Sequence, residues 1–227
     1  MVRIADTPTL SEFRVPPAEV RAACEVRLRE AEASEAAART RRRVADSGVP
    51  ERYLGGTLAA CHPGVARWAA AAAAGDLAGC DSPFLLLHGE NGTGKTTQAC
   101  AALLSLAPSM TIRFVDLPEL FEEAMADGCR RAAEVIARCT VAGALVVDEL
   151  GKEELNRKTA AWAFNIVQRR MKRRQPTVFV TNMDSAGLKR HFDACGDPTM
   201  GDSIVSRILA GHRVRFDGAD RRIGGAP

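Results

Sequence analysis

Aromatic residues are scarce in this 227-residue chain: one Tyr, two Trp and eight Phe amount to 5% of it. Few ring platforms are on offer for stacking, so any contact with nucleic acid would rest on phosphate charge and weaken with salt. Charge of one sign is lacking too. Thirty-one basic residues stand against 28 acids, a net of +3, so only the local distribution of charge can point to a polyanion. No apolar run approaches the ~20 residues of a membrane span; the longest, Trp68 to Ala74, is mostly alanine. The N-terminus has Arg3, Asp6 and Glu12 but no apolar core of a secretory signal, which predicts a cytoplasmic protein without a membrane partner. The seven cysteines are odd in number, scattered and never in a C-x-x-C pair. That excludes a disulfide framework and a zinc ribbon. With 46% hydrophobic residues, the length supports one main core plus an appendage.

What is present centres on Gly89-Glu90-Asn91-Gly92-Thr93-Gly94-Lys95-Thr96, which fits the phosphate-binding pattern G-x-x-x-x-G-K-[ST] at every specified position. Phe84 to His88 before it suits a buried parallel strand, and Thr97 to Leu106 after it suits a helix stopped by Pro108. The glycines allow a nest of inward-pointing amides, Lys95 supplies a point charge for the β- and γ-phosphates, and the Thr96 hydroxyl can ligate Mg²⁺. Residues Gly89 to Thr97 are therefore the predicted ATP contacts, backed by the helix dipole.

A second strand is expected at Thr111 to Asp116 and an amphipathic helix from Pro118. Ala144-Leu145-Val146-Val147 reads as a third strand that runs into Asp148-Glu149. A buried strand rarely ends in adjacent carboxylates without a reason. After a phosphate loop it reads as a Walker B element, with Asp148 and Thr96 at the metal and Glu149 activating the attacking water. A helix is predicted over Lys152 to Arg174 and a fourth strand over Pro176 to Asn182. In P-loop ATPases of this layout a polar residue at that strand end polarises the lytic water, a role that falls to Asn182. The helix ends in Arg169-Arg170-Met171-Lys172-Arg173-Arg174, five positive charges in six residues. Either this is a solvated basic face or Arg169, Arg170, Lys172, Arg173 and Arg174 meet a DNA backbone; five charges exceed what a helix dipole calls for. Short helices at Leu188 to Phe192 and Ile204 to Leu209 and a strand at Arg213 to Phe216 complete the core.

Upstream, residues 1–16 read as a poorly ordered leader and Ala18 to Asp46 as one helix. Its apolar stripe, Val20, Cys24 and Leu28, is thin, and its seven Arg nearly balance six acids. Either it is a solvated helix or it docks on another protein; so thin a stripe favours docking. Ser47-Gly48-Val49-Pro50 ends it, which divides the chain into a helical partner-docking region, 1–48, and an ATPase domain, 49–227.

Over residues 49 to 222 the chain resembles the bacterial replicative-helicase loaders DnaC and DnaI and the related IstB transposition helper ATPases, all of the AAA+ class. The resemblance is carried by Val49-Pro50-Glu51-Arg52-Tyr53, the phosphate loop, Leu145 to Gly151, Arg169-Arg170 through Pro176 to Thr181-Asn182, Ile204 to Leu209, and Gly218-Ala219-Asp220-Arg221. It implies an α/β AAA+ fold with a five-stranded parallel sheet of order 5-1-4-3-2 and head-to-tail self-association. Arg207 matches the family's arginine finger and Arg221 its sensor 2 arginine. Only eleven residues follow Phe216, too few for the usual C-terminal lid domain, which removes Arg221's customary platform.

By resemblance the function is ATP-dependent loading of a hexameric replicative helicase, docked on the N-terminal helix, onto single-stranded DNA, with ATP hydrolysed between subunits. The alternative is an IstB-like helper acting on double-stranded DNA and a transposase. A small-molecule kinase would also use Asp148 and Glu149 but leaves Asn182, Arg207 and the basic helix without roles.

Overall fold

The computed structural model describes residues 18–77 and 81–218; the leader at 1–16 and Arg221 lie outside them. The chain forms two compact units, Met1–Arg39 and Thr40–Pro227. Helix α1, Ala18–Ala45, supplies the described part of the first, where Val20, Val26 and Leu28 stand 48%, 54% and 60% exposed. The thin stripe thus stays uncovered among the described residues. The last turn of α1 belongs to the second unit. There the Arg43 guanidinium donates to Ala107 O and Pro108 O at 2.8 and 2.9 Å, and Ser47 O accepts from Phe114 N–H at 2.7 Å.

The second unit is a parallel sheet with helices on both faces. Its strands are β1 (Phe84–Gly89), β2 (Ile112–Asp116), β3 (Ala144–Asp148), β4 (Thr177–Val180) and β5 (His212–Phe216), in the spatial order β2-β3-β4-β1-β5. Read from the other edge, this is the 5-1-4-3-2 order that the resemblance implied. Alternation along the strands divides the core. Phe84, Leu86, Leu145, Val147 and Phe179 pack under α4 (Leu117–Met125), α5 (Ala132–Val141), α6 (Arg157–Lys172), α7 (Ser185–Asp193) and α8 (Pro198–Leu209). Leu85, Leu87, Val146, Val178 and Val180 face α2 (Pro63–Ala73) and α3 (Lys95–Ser105). A strand covered on both faces is apolar throughout, which is why these runs stand out in the sequence. Among the described residues no helix is long and apolar enough to cross a membrane.

Three elements differ from expectation. Helix α5 was not anticipated. Helix α6 starts five residues later than Lys152 because Asn156 caps it: its Oδ1 accepts from Lys158 and Thr159 N–H, and the Thr159 hydroxyl accepts from Asn156 N–H in return. Helix α8 starts at Pro198, with Asp197 Oδ1 accepting from Met200 N–H.

The basic end of α6 needs a correction. Arg170 is fully buried and cannot reach a DNA phosphate. Its guanidinium donates to Thr177 Oγ1 (2.7 Å) and to the carbonyls of Cys139, Ala142, Gly143 and Pro176 (2.8, 2.8, 3.3 and 2.7 Å). It thereby ties the starts of β3 and β4 to the end of α5. Burial pushes its pKa down to about 9, so it stays charged at neutral pH. Arg173 donates to Thr140 O at 3.2 Å and Arg174 to Leu77 O, although both remain exposed, as do Arg169 and Lys172. Arg170→Ala removes all five of these hydrogen bonds, and although Pro176 O keeps Leu145 N–H and Ala142 O keeps the Gln175 amide, the change should cost about 3–5 kcal/mol. The expected drop in melting temperature is about 10 °C, whereas Arg169→Ala should stay within about 0.5 kcal/mol. A shift under about 2 °C for Arg170→Ala in a thermal melt would contradict this role.

Candidate nucleotide site

β1 delivers the phosphate loop to the C-terminal edge of the sheet, and β5 seats it. Gly89 pairs with Phe216 in register at a φ of 124°, and a Cβ there would lie 2.1 Å from Phe216 O. Only glycine fits so close a backbone crossing. Glu90 N–H donates to the same carbonyl at 3.1 Å. Gly92 and Gly94 also take positive φ, 69° and 91°, and the Thr93 hydroxyl donates to Glu90 O at 2.9 Å. The result is a turn of amides leading into α3, whose free N–H groups and dipole favour an anion.

Lys95 opens α3 and is 5% exposed. Its ammonium folds back onto the carbonyls of Gly89 (2.9 Å) and Glu90. An incoming phosphate offers the same donor a charged acceptor in place of two neutral ones.

Asp148 ends β3, buried at 6% exposure. Burial, chiefly, raises its pKa above the usual aspartate value, opposed by hydrogen bonds from Glu149 N–H and the Thr96 hydroxyl. Thr96 of the phosphate loop lines the same cleft as the β3 carboxylate. In register beside it on β2 stands Asp116, likewise raised, first by burial, while its Oδ1 accepts from Glu119 N–H to cap α4. The buried Asp148 with the half-buried Asp116 in register beside it would favour a cation. Among the described residues no group of three or more His, Cys, Asp and Glu could hold a metal. Thr96 and Asp148 therefore fit a hard cation only if phosphate and water complete its shell, the usual habit of Mg²⁺.

Glu149, one residue on, adopts a left-handed φ of 59°, which turns it out of line with Asp148. Its carboxylate pairs with the Lys152 ammonium. Leu150 N–H donates to Val180 O at 2.9 Å, which holds this turn beside the end of β4. Thr181 and Asn182 follow there.

These groups share one cleft of about 860 Å³, in the range of small-molecule sites. Asn91 to Thr97, Asp148, Glu149 and Asn182 all line it. Pro50, Arg52, Tyr53, Thr57 and Gln98 also line it, with the Arg52 guanidinium 4.8 Å from the Tyr53 ring centre. Gly89 and Glu90 line a neighbouring cleft instead. Arg207 is outside both: it donates to Ser203 O at 2.6 Å and lies 5.7 Å from the Phe164 ring centre. The exposed basic residues at the end of α6 precede β4 and so belong to the opposite, N-terminal edge of the sheet.

Sequence reasoning assigned no role to Asp116, Lys152, Arg52, Tyr53 or Gln98. The signal for Asp116 was available, since β2 runs into an acid just as β3 does. Pro50 to Tyr53 had been noted as a motif without a place in the site.

A family model described as IstB-like ATP binding protein matches residues 69–223. Comparison with curated proteins finds no match. Among solved structures, a crystal structure of DnaI superposes with a TM-score of 0.64 at 25% identity over 75% of this chain and 96% of that one. The DnaC helicase loader gives 0.54 at 22% identity over 74% and 100%. The replication initiator DnaA bound to AMPPCP and single-stranded DNA gives 0.58 at 16% identity over 76% and 52%. The last two share the fold alone.

Proposed function

The chain belongs to the IstB-like ATP binding protein family, with the DnaC/DnaI-like AAA+ fold, and from that premise we propose that it is an ATPase that loads a replicative helicase onto single-stranded DNA. The observation that supports this best is the gathering of Lys95, Thr96, Asp148, Glu149 and Asn182 on the walls of one cleft.

In this reading the amides of Asn91 to Thr97 and the Lys95 ammonium hold the β- and γ-phosphates. Tyr53, Arg52 and Gln98, which line the same cleft, would receive the base. Thr96 and Asp148 would hold Mg²⁺, which when bound would supply positive charge against the phosphates. Glu149 takes the proton of the attacking water, and Asn182 orients that water from the end of β4. Glu149 must first be released by Lys152. Arg207 cannot act on its own subunit's nucleotide from where it stands, which suits a finger that completes a neighbour's site in a head-to-tail assembly. The exposed stripe of α1, with residues 1–48 as the docking region, would meet the helicase. Arg169, Lys172, Arg173 and Arg174, without Arg170, remain as candidates for the DNA backbone. No role is proposed for Arg221.

Transposition help is the second reading, favoured by the family model itself. The two part on the partner protein. A Glu149→Gln chain held in ATP and used to pull down partners from host extract should recover a hexameric helicase, identified by mass spectrometry; recovery of a transposase instead would replace the loader reading. Arg207→Ala should lose activity and regain part of it when mixed with Lys95→Ala, because one subunit then keeps the loop and the other the finger. Absence of rescue would count against action in trans.

A further inference from the structure

Glu153 is a carboxylate whose side chain is wholly buried, yet it does not line the nucleotide cleft. Its two oxygens face two different segments. Oε2 accepts from Gly151 N–H at 2.6 Å, and Oε1 stands 2.9 Å from Nε2 of His191. An ionised carboxylate only accepts, so that ring nitrogen carries the hydrogen. A buried acid without Lys or Arg is costly unless its hydrogen bonds do something in return.

What they join is specific. Gly151 lies in the turn that follows Glu149, and His191 lies on α7, whose cap Asp184 comes two residues after Asn182. Two more fastenings run alongside. Leu150 N–H donates to Val180 O, and Gly151, at a φ of 95°, is packed so that a Cβ would lie 2.8 Å from Met183 Sδ. Residues 150, 151 and 153 are thus tied in turn to 180, 183 and 191.

We propose that Glu153 and His191 are positioning residues, a buried clamp that holds the Glu149 turn and the Asn182 segment as one rigid piece. This rests on the reading above, in which Glu149 accepts the proton and Asn182 orients the water. Both groups must address one water molecule, and a misplacement of about 1 Å can cost about 100-fold in rate. Neither clamp residue needs to touch the nucleotide, so binding should be spared.

The test uses the full chain with Glu153→Ala, His191→Ala, His191→Gln and the double alanine variant. Fluorescent ATP analogue binding, steady-state turnover and amide hydrogen exchange are measured on each. Each single alanine change is expected to lower kcat by about 10- to 100-fold with the ATP dissociation constant within twofold. The double variant should be no worse than the worse single. His191→Gln, which can still donate to the carboxylate, should recover part of the loss. Exchange should quicken in both segments, 149–153 and 181–184, whichever residue is changed. Exchange that quickens only in the mutated segment, a kcat loss matched by a loss of affinity, or multiplicative losses in the double variant would each overturn the clamp. If the unmodified chain fails to turn over ATP, the reading of Glu149 falls, and the exchange pattern alone still decides whether the two segments are coupled.

Discussion

Glutamine in place of Glu149 should slow ATP turnover by about two to four orders of magnitude while ATP affinity stays within about twofold. The side chains have the same shape, and only the ability to take a proton is lost. The position invites the test because Asp148 and Glu149, though adjacent, stand in different surroundings. Asp148 is buried, accepts from Glu149 N–H and is raised by its burial. Glu149 is turned outward by its left-handed backbone, with a side chain 32% exposed and paired with Lys152. One carboxylate is placed to hold charge and the other to exchange protons. Phosphate release in a single-turnover experiment separates chemistry from product release. Normal release by the glutamine variant would remove Glu149 as the base.

Alanine in place of Lys95 should weaken ATP binding by about 100-fold or more and abolish turnover. Hydrogen bonds from a charged donor to phosphate contribute about 1.5–3 kcal/mol each, and Lys95 has two within reach of the loop. The fold should survive. In the structure this ammonium donates to carbonyls of the loop it serves, Gly89 and Glu90. Titration with a fluorescent ATP analogue, paired with a thermal melt, distinguishes a lost site from an unfolded one. Tight binding by a folded Lys95→Ala chain would sink the assignment of the phosphate loop.

The strands and the phosphate loop were legible because their signals are local. An apolar run of five or six residues between turn residues, and a fixed spacing of glycines before Lys95, need no knowledge of the rest of the chain. The order of the sheet came from resemblance, since nothing in periodicity says which strand lies beside which. Helix α5 was missed for a physical reason. Asp127, Gly128 and Cys129 take positive φ before it, no side chain caps its start, and its buried face of Val135, Ile136 and Cys139 is short. Arg170 was misread because the run of positive charges was taken together. Helical spacing would have set it apart: Ala163, Ile166, Val167 and Arg170 form one buried stripe, and a charge on that stripe must face inward. Glu153 gave no signal at all. Its meaning depends on His191, 38 residues away, and only folding brings the two together.

The seating of Gly89 and Glu90 on Phe216 O also bears on how the protein is born. Translation delivers the phosphate loop early, but the strand that braces it is more than a hundred residues behind. Until β5 has left the ribosome and closed against β1, the turn at Gly89 lacks the neighbour that fixes its path. Domains form as units during synthesis, so the emerging chain should gain its grip on ATP late and all at once.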